Sequence, residues 1–319
     1  MLMSNFDYQI GYGKLSVPVY RVYARPLLGV TPIPESSFTG RDNALFACEI
    51  DVEVLGDDFL PAYTIGDNSM VVATDSMKNF ILRESLNYDG ATLEGLLLFL
   101  GSGFINRYDQ IGAVRMSARE LPFLPVQVPD GDRFIPSSVL FNHSRGDYAT
   151  ATLELTGDDN GQIEIVDHLC GRVDIQLMKI TGSSFTSFVR DGYTTLPERR
   201  DRPLYIYLDM HWRYGDINEL RDPHPARYVP AEQIRDLVAT VFHEFVSESI
   251  QHLVHEMGTR VLDRYPQIAE ISFAAQNRTR DPFAESTEDP KVKVYSDPFN
   301  AYGEITLTMS RQADSGVPA

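Results

Sequence analysis

A hydroxyl and a carboxylate stand side by side at Thr74 and Asp75, where an apolar segment gives way to a helix-forming one. Residues 71–73 are typical of the end of a buried strand, and a helix is predicted to continue to about Ser85. Either side chain could act as the N-cap of that helix, which is the commonest use of such residues. The N–H groups of a first helical turn also attract electron-rich ligands. The pair is therefore a candidate ligand site if the rest of the chain supplies matching groups.

A second set of reactive side chains falls on two predicted helices, at residues 230–247 and 249–263. His252 and His255 are three residues apart, so they share a helix face and could bind zinc. Their order differs from the H-E-x-x-H arrangement of metalloproteases, and an outward polar face is the commoner explanation. A metal-dependent hydrolase stays an alternative hypothesis. Its candidate ligands and acids are His243, Glu244, His252, His255 and Glu256.

The charge of the chain restricts its partners. The 45 acidic and 28 basic residues give a formal charge of −17, and no run of lysines or arginines interrupts it. Nucleic acid and membrane surfaces would be repelled at long range, so neither is expected as a partner. An anionic substrate would need a local cationic pocket. Cys48 and Cys170 are far apart in sequence, which fits a reduced protein and offers no metal framework.

Targeting signals are not evident at either end of the sequence. The first seven residues lack a basic region followed by a long apolar run, so no signal peptide is predicted. The longest apolar run, residues 96–100, is far shorter than the roughly 20 residues of a membrane-spanning helix. The last residues, Gly316-Val317-Pro318-Ala319, carry no peroxisomal Ser-Lys-Leu signal. A cytoplasmic location is expected.

Hydrophobic periodicity predicts the same order of elements in both halves of the chain, namely strand, strand, helix, helix, strand, strand. In the first half these elements are expected at residues 14–25, 45–56, 76–84, 91–105, 110–119 and 146–156. In the second half they are expected at 161–180, 203–210, 230–247, 249–263, 267–276 and 302–309. The pattern indicates an α+β fold made by tandem duplication, with domains at 1–157 and 158–319.

Each predicted domain has a largely antiparallel four-stranded sheet with two helices on one face. The other face and the sheet edges then need cover, which favours assembly with further subunits. Residues 280–300 are rich in charge and proline and interrupt the last pair of strands. They are predicted to form an exposed excursion.

Five sequence strings, in order along both halves, resemble the urate oxidase (uricase) family. They are Tyr12-Gly13-Lys14, Val72-Ala73-Thr74-Asp75-Ser76-Met77-Lys78-Asn79, the segment from Ser184 to Leu196 with Asp201-Arg202 after it, Ser249-Ile250-Gln251, and Gln276-Asn277. The resemblance is weak over residues 30–65, 120–145 and 280–300, so it covers the core and not the loops.

This resemblance implies two tunnelling-fold domains whose sheets join those of neighbouring subunits into barrels around a central tunnel. The expected assembly is a homotetramer with active sites at subunit interfaces. Lys14 and Thr74 would come from one chain, and Phe185, Arg202 and Gln251 from another.

The implied reaction is the oxidation of urate by O2 and water to 5-hydroxyisourate and hydrogen peroxide, with no metal or other cofactor. Thr74 would pass a proton to Lys14, and Asp75 would contact urate through its backbone N–H. Phe185 would stack on the ring, and Arg202 would donate two hydrogen bonds to one edge of it. The opposite edge would be bound by the Gln251 amide, with a backbone contact near Ile250. Asn277 would hold O2 or water above the ring.

One position departs from the better-known family pattern. A histidine two residues after the asparagine usually completes the proton relay, whereas Asn277 is followed here by Arg278 and Thr279. Thr279 acting through water, or a histidine from another segment, could be the third member. Two further hypotheses stay open at this stage: another tunnelling-fold enzyme that acts on a pterin, and a non-catalytic scaffold of the same fold.

Overall fold

Antiparallel sheets form the largest part of the regular structure in the computed structural model, which describes residues 6–158, 160–221, 226–278, 280–296 and 300–312. The strands are β1 (Gly11–Val22), β2 (Leu45–Leu55), β3 (Ala113–Glu120), β4 (Phe123–Asp130), β5 (Arg133–His143), β6 (Tyr148–Gly157), β7 (Ile163–Lys179), β8 (Leu204–Tyr214), β9 (Ile268–Asn277), β10 (Asp281–Glu285), β11 (Lys293–Ser296) and β12 (Gly303–Ser310). The helices are α1 (Leu60–Thr64), α2 (Thr74–Glu84), α3 (Leu93–Arg107), α4 (Asn218–Arg221), α5 (Ala231–Glu244) and α6 (Ile250–Arg264), with a 3-10 turn at Asp57–Phe59.

The chain forms two compact units, and each includes a short segment from the other half of the sequence. The described residues of the ranges 6–31, 39–170 and 216–228 form the first unit, and those of the ranges 32–38, 171–215 and 229–312 form the second. The predicted division at residues 157 and 158 stays a prediction.

The sheet of the first unit has the strand order β1-β2-β3-β6 followed by the first part of β7. β1 pairs with β2, β2 with β3, and β3 with β6, all antiparallel. Alternate residues of β2 are completely buried, as the strand period requires, and α3 packs against β3 and β6. The opposite face is polar, and on it Arg115 pairs with Glu53 at 2.7 Å and Glu154 at 2.9 Å.

The second unit repeats this plan with the last part of β7, then β8, β9 and β12. β9 pairs antiparallel with both β8 and β12. Along β8 the buried side chains alternate with partly exposed ones, and Trp212 is 1% exposed. α5 packs against α6, and α6 packs against β9 and β12. The predicted strands and helices are therefore present in each half, within four residues of their expected bounds.

Two antiparallel hairpins were not predicted. β4 pairs with β5 in the first unit, and β10 pairs with β11 in the second. The second hairpin lies within the excursion predicted at residues 280–300, and Phe283 on it is 80% exposed. None of the helices that the structure describes has the length and apolar character needed to cross a membrane.

Candidate active site

Lys14 lies at an irregular point of β1. It is aligned with Val52 of β2, and the register then shifts between Lys14 and Val17. Ser16 lies at this irregularity and has a positive φ of 55°. Its N–H donates to Asp51 Oδ1 at 2.6 Å. Such irregularities re-aim the side chains beside them. Lys14 therefore lies beside a defined irregularity of β1 and not within a regular stretch of the strand.

Gly13 allows β1 and β2 to approach closely at this point. A Cβ atom built on Gly13 would overlap the carbonyl oxygen of Val52, which belongs to the backbone and cannot turn aside. We expect Gly13→Ala to lower the free energy of unfolding by about 1–3 kcal/mol and to reduce activity, because β1 must shift beside Lys14.

Gly112→Ala is the matched control for that substitution. A Cβ atom on Gly112 meets nothing within 4 Å, and its φ is not positive. The control should stay within about 0.5 kcal/mol of the parent protein. Chemical denaturation checks both variants, and equal stabilities for the two would contradict the close approach.

Tyr12 connects β1 to the segment that precedes Thr74. Its hydroxyl accepts a hydrogen bond from Val72 N–H at 2.9 Å, and its ring packs edge-on against Phe59 with centroids 5.1 Å apart. Burial is the main reason that the pKa of Tyr12 is raised, so its hydroxyl is neutral at physiological pH. α2 also packs against β1. Lys14 and the start of α2 are thereby held in one region of the first unit.

The prediction that Thr74 or Asp75 caps α2 is wrong. Ala73 is the N-cap, with extended backbone angles and no side-chain capping bond, and Thr74 is the first helical residue. The hydroxyl of Thr74 is therefore not used as a cap. The helix begins one residue earlier than a capping threonine would require, because Ala73 already makes the turn out of the preceding segment.

The carboxylate of Asp75 is used inside the helix. It accepts hydrogen bonds from Lys78 Nζ at 2.5 Å and Asn79 Nδ2 at 3.0 Å. The pKa of Asp75 lies below its ordinary value, mainly because Lys78 donates this hydrogen bond and carries a positive charge, with a smaller contribution from the charge of Lys14. Asp75 is thus an ionised residue that stabilises the first turn. That arrangement leaves its backbone N–H as the group suited to a ligand.

In the second unit, backbone hydrogen bonds bring Phe185 and Arg202 together. Phe185 N–H donates to the carbonyl of Arg199 at 2.8 Å, and Arg199 N–H donates back at 3.0 Å. Arg202 N–H donates to the carbonyl of Ser183 at 2.9 Å. The guanidinium carbon of Arg202 lies 5.4 Å from the centre of the Phe185 ring. An aromatic face and a planar cation are therefore adjacent, as binding of a flat anion requires.

Phe188, which was not predicted to take part in the site, packs against Phe185. Its ring stacks on Phe185 with centroids 4.9 Å apart and an angle of 11° between planes. Ser187 permits the stacking because its φ of 59° reverses the chain between the two rings. Arg190 lies 5.6 Å from the Phe188 ring centre. The three-residue spacing of the two phenylalanines was the only sequence signal for this contact.

The start of α6 approaches the same region of the second unit. Ser184 N–H donates to the carbonyl of Ser247 at 2.8 Å, which ties the Phe185 segment to the turn before α6. Ser249 caps the helix by accepting from His252 N–H at 3.1 Å. Ile250 is buried, while the Gln251 side chain is exposed. The first-turn N–H groups of Ile250 and Gln251 have no carbonyl partner within the helix, so they can donate to a ligand.

Asn277 ends β9 in the second unit, between Ile206 of β8 and Gly303 of β12. The Arg278 side chain that follows it is already engaged. Arg278 donates to Gln276 Oε1 at 2.6 Å, and its guanidinium lies between the rings of Tyr207 and Tyr302, 4.8 and 3.8 Å from their centres. Thr279, the predicted third relay member, lies outside the described residues.

Three of the five residues proposed for a metal site form ion pairs or ring contacts. Glu244 and Glu256 both accept from Arg260, at 3.5 and 2.9 Å. His252 packs edge-on against Phe245 with centroids 4.6 Å apart. Within the parts of the chain that the structure describes, no three His, Cys, Asp or Glu side chains are grouped to hold a metal ion. On α6, His252 and Glu256 are therefore engaged by other side chains of the protein.

The first unit holds a lysine near the threonine that begins α2, and the second holds an aromatic ring beside a guanidinium, with an exposed amide at the start of α6. Groups of these kinds are typical of a class of protein that binds flat, electron-rich heterocycles and moves protons to or from them. The uricase family model matches residues 53–161 and 169–306. The chain belongs to the uricase family, which confirms the predicted resemblance and the prediction of a urate oxidase enzyme.

Individual relatives agree with this assignment. The chain is 52% identical to the uricase of Haloferax volcanii over 85% of its own length and 88% of that protein. It is 46% identical to the uricase of Halalkalicoccus jeotgali, over 95% of this chain and 98% of that one. The crystal structure of a uricase from Bacillus fastidious matches with a TM-score of 0.92 at 41% identity, covering 98% of this chain and 100% of that one. The antiparallel α+β fold is thus that of solved urate oxidases.

Proposed function

We propose that the chain catalyses the oxidation of urate by O2 and water to 5-hydroxyisourate and hydrogen peroxide, without a metal or other cofactor. The observation that carries this proposal is the Arg202 guanidinium 5.4 Å from the Phe185 ring, beside the start of α6. Urate is a flat anion with carbonyl oxygens and ring nitrogens along its edges, so this set of groups matches its face and edges at once.

Each group has a proposed binding role. Phe185 stacks on the purine, and Arg202 donates two hydrogen bonds to a carbonyl oxygen and the adjacent ring nitrogen. Gln251 both donates to and accepts from the opposite edge, and Ile250 adds its backbone N–H. Asp75 contributes its backbone N–H, since its carboxylate is occupied by Lys78 and Asn79. Asn277 holds O2 or water above the ring through its amide.

The protein's chemical task is proton removal, because the deprotonated purine can itself give an electron to O2. Thr74 is proposed to carry a proton through its hydroxyl to Lys14, whose positive charge makes a small contribution to the lowered pKa of Asp75. A third relay member is still required in this scheme. Thr279 stays the prediction for that place, and Arg278 is a poor substitute because Gln276, Tyr207 and Tyr302 hold it.

The proposed assembly is a homotetramer of tandem tunnelling-fold subunits, with sheets joined into barrels and sites shared between chains. Large exposed apolar side chains in each unit support burial by further subunits, among them Tyr193 at 94% and Phe134 at 70% exposure. A cytoplasmic location stays a prediction.

The reaction itself is directly measurable. In air-saturated buffer containing a metal chelator, the purified full-length protein should consume urate and release one hydrogen peroxide for each urate lost. Urate absorbance and a peroxide assay follow the two species. An oxygen-free sample is the control and should show no loss of urate. Turnover that stops with the chelator, or urate loss without peroxide, would contradict the proposed reaction.

A further inference from the structure

Helix α3 of the first unit occupies the same place in its fold as α6 in the second unit. Thr92 caps α3 by accepting from Gly95 N–H at 3.2 Å, as Ser249 caps α6. Both helices have 15 residues, and a tyrosine follows each of them. Each packs against the third and fourth strands of its own sheet. The start of α3 is therefore the counterpart of the start of α6.

The connection between the first two strands of each sheet agrees with this correspondence. Leu27 N–H donates to the carbonyl of Arg41 at 2.8 Å, and Arg41 N–H donates back at 3.0 Å. The same two bonds join Phe185 and Arg199 in the second unit. Leu27 is therefore the counterpart of Phe185, the ring proposed to stack on urate.

The counterparts of the two proposed amide ligands are acidic. Glu94 is the second residue of α3, and Gln251 is the second residue of α6. Glu120 ends β3, the third strand of its sheet, and Asn277 ends β9, which is third in the other. The first unit thus has carboxylates at the two places where the second unit has amides.

These places are closed in the first unit. Glu94 is 6% exposed, whereas the Gln251 side chain is exposed. The hydroxyl of Tyr228 donates to Glu94 Oε2 at 3.4 Å. Arg41 donates to Glu120 Oε1 at 2.7 Å. Side chains of the same unit therefore take up the acidic groups that a ligand would otherwise meet.

The guanidinium of Arg41 acts on both acidic residues. It pairs with Glu120 directly. Burial raises the pKa of the Glu94 carboxyl, and the positive charge of Arg41 opposes that rise. The Arg41 side chain is 24% exposed, so its removal would open this place to solvent. A planar cation of the protein thus interacts with the counterparts of two groups that are proposed to hold urate and O2 or water.

We propose that the first unit contains a second ligand-binding site, which the chain closes with the Arg41 guanidinium. Without this side chain, the site binds a planar cation of the guanidinium or amidinium class through Glu94 and Glu120. Carboxylates accept the paired N–H donors of such cations in charge-assisted hydrogen bonds, while the same two acids repel an anion such as urate. The identification as a ligand site rests on the urate roles proposed for Gln251 and Asn277, whereas binding of the cation does not.

Calorimetric titration of full-length Arg41→Ala with methylguanidinium, the end group of an arginine side chain, tests the site. The substitution removes the guanidinium and keeps the backbone bonds to Leu27. The variant should bind one methylguanidinium per chain. Methylammonium has the same charge but no planar pair of donors, so it should bind about tenfold more weakly or less. Adding Glu94→Gln should weaken methylguanidinium binding about tenfold.

Arg25→Ala is the matched control. Arg25 belongs to the same connection between β1 and β2, but it forms an exposed pair with Asp89 at 3.0 Å. This variant and the parent protein should show no saturable binding of methylguanidinium at the concentrations that saturate Arg41→Ala. No binding to Arg41→Ala, or equal binding to Arg25→Ala, would overturn the closed site.

Thermal denaturation keeps the test decisive if Arg41→Ala is unstable. A ligand that binds only the folded state stabilises it by mass action. Millimolar methylguanidinium should therefore raise the Tm of Arg41→Ala, or refold the variant if it is unfolded, and leave the Tm of the parent unchanged. Methylammonium should do neither. An equal response to the two cations would also overturn the site.

Urate binding without oxygen tests the selectivity for cations. Arg41→Ala should bind as many urate molecules per chain as the parent, and an additional urate would overturn the selectivity. The two proposals fail separately. Methylguanidinium binding to Arg41→Ala, in a protein whose parent never oxidises urate, would refute the enzyme function alone. An active parent whose Arg41→Ala variant neither binds nor responds to methylguanidinium would refute only the closed site.

Discussion

Lys14→Met is expected to remove almost all urate turnover while binding of an unreactive urate analogue persists. Methionine keeps the length and much of the apolar stem of lysine but cannot take a proton from Thr74. General base catalysis typically contributes about 10²–10⁴-fold to a rate, so kcat should fall by that order. The close contact at Gly13 and the bond from Val72 to Tyr12 do not involve the lysine side chain, so the fold should be kept.

Lys78→Met is the matched control, because Lys78 is the other lysine beside Asp75 and pairs with it at 2.5 Å. Exposed ion pairs of this kind contribute about 0–1 kcal/mol, so the control should lose no more than a few-fold in rate. Steady-state turnover and analogue titration should be measured for both variants. Full activity in Lys14→Met, or equal losses in the two, would remove Lys14 from the relay.

Arg202→Gln is expected to weaken urate binding by about tenfold to a hundredfold. A hydrogen bond to a charged group contributes roughly 1.5–3 kcal/mol, and each 1.4 kcal/mol is a factor of ten in affinity. Glutamine cannot supply the two parallel N–H donors or the positive charge that match an anionic edge. Phe185 would still offer its ring, so some binding should persist.

Arg190→Gln provides the comparison, since Arg190 also faces an aromatic ring, at 5.6 Å from the centre of Phe188, but has no proposed contact with urate. Its affinity should stay within about twofold of the parent, because exposed substitutions usually change free energies by less than 0.5 kcal/mol. Equilibrium dialysis without oxygen measures urate binding before turnover. An unchanged dissociation constant in Arg202→Gln would take Arg202 out of the site.

Periodicity predicted the main strands and helices well because both sheets bury one face and expose the other. It missed β4 and β5 because prolines at 125, 129 and 136 weaken a strand signal, although a two-stranded hairpin tolerates them. It also misassigned the start of α2. A threonine before a helical run is the usual capping pattern, and nothing local indicated that Ala73 would hold that place instead.

The motif strings were enough to name candidate site residues, but not the contacts that position them. The stacking of Phe188 on Phe185 depends on a positive φ at Ser187, a conformation that serine adopts rarely. The contacts of Arg278 with the rings of Tyr207 and Tyr302 join residues that lie in or next to three different strands. Neither follows from local sequence, since both arise only after distant segments have packed.

The hydrogen bond from Val72 to Tyr12 joins residues that are 60 positions apart. Through it, the backbone that leads into Thr74 is anchored to the strand that carries Lys14, and so to the sheet. The loss of conformational entropy needed to bring the two halves of the proposed proton path together therefore occurs once, when the chain folds. A path organised in advance does not repeat that loss in each catalytic cycle, so a single phenol could lower the barrier to every turnover without touching urate.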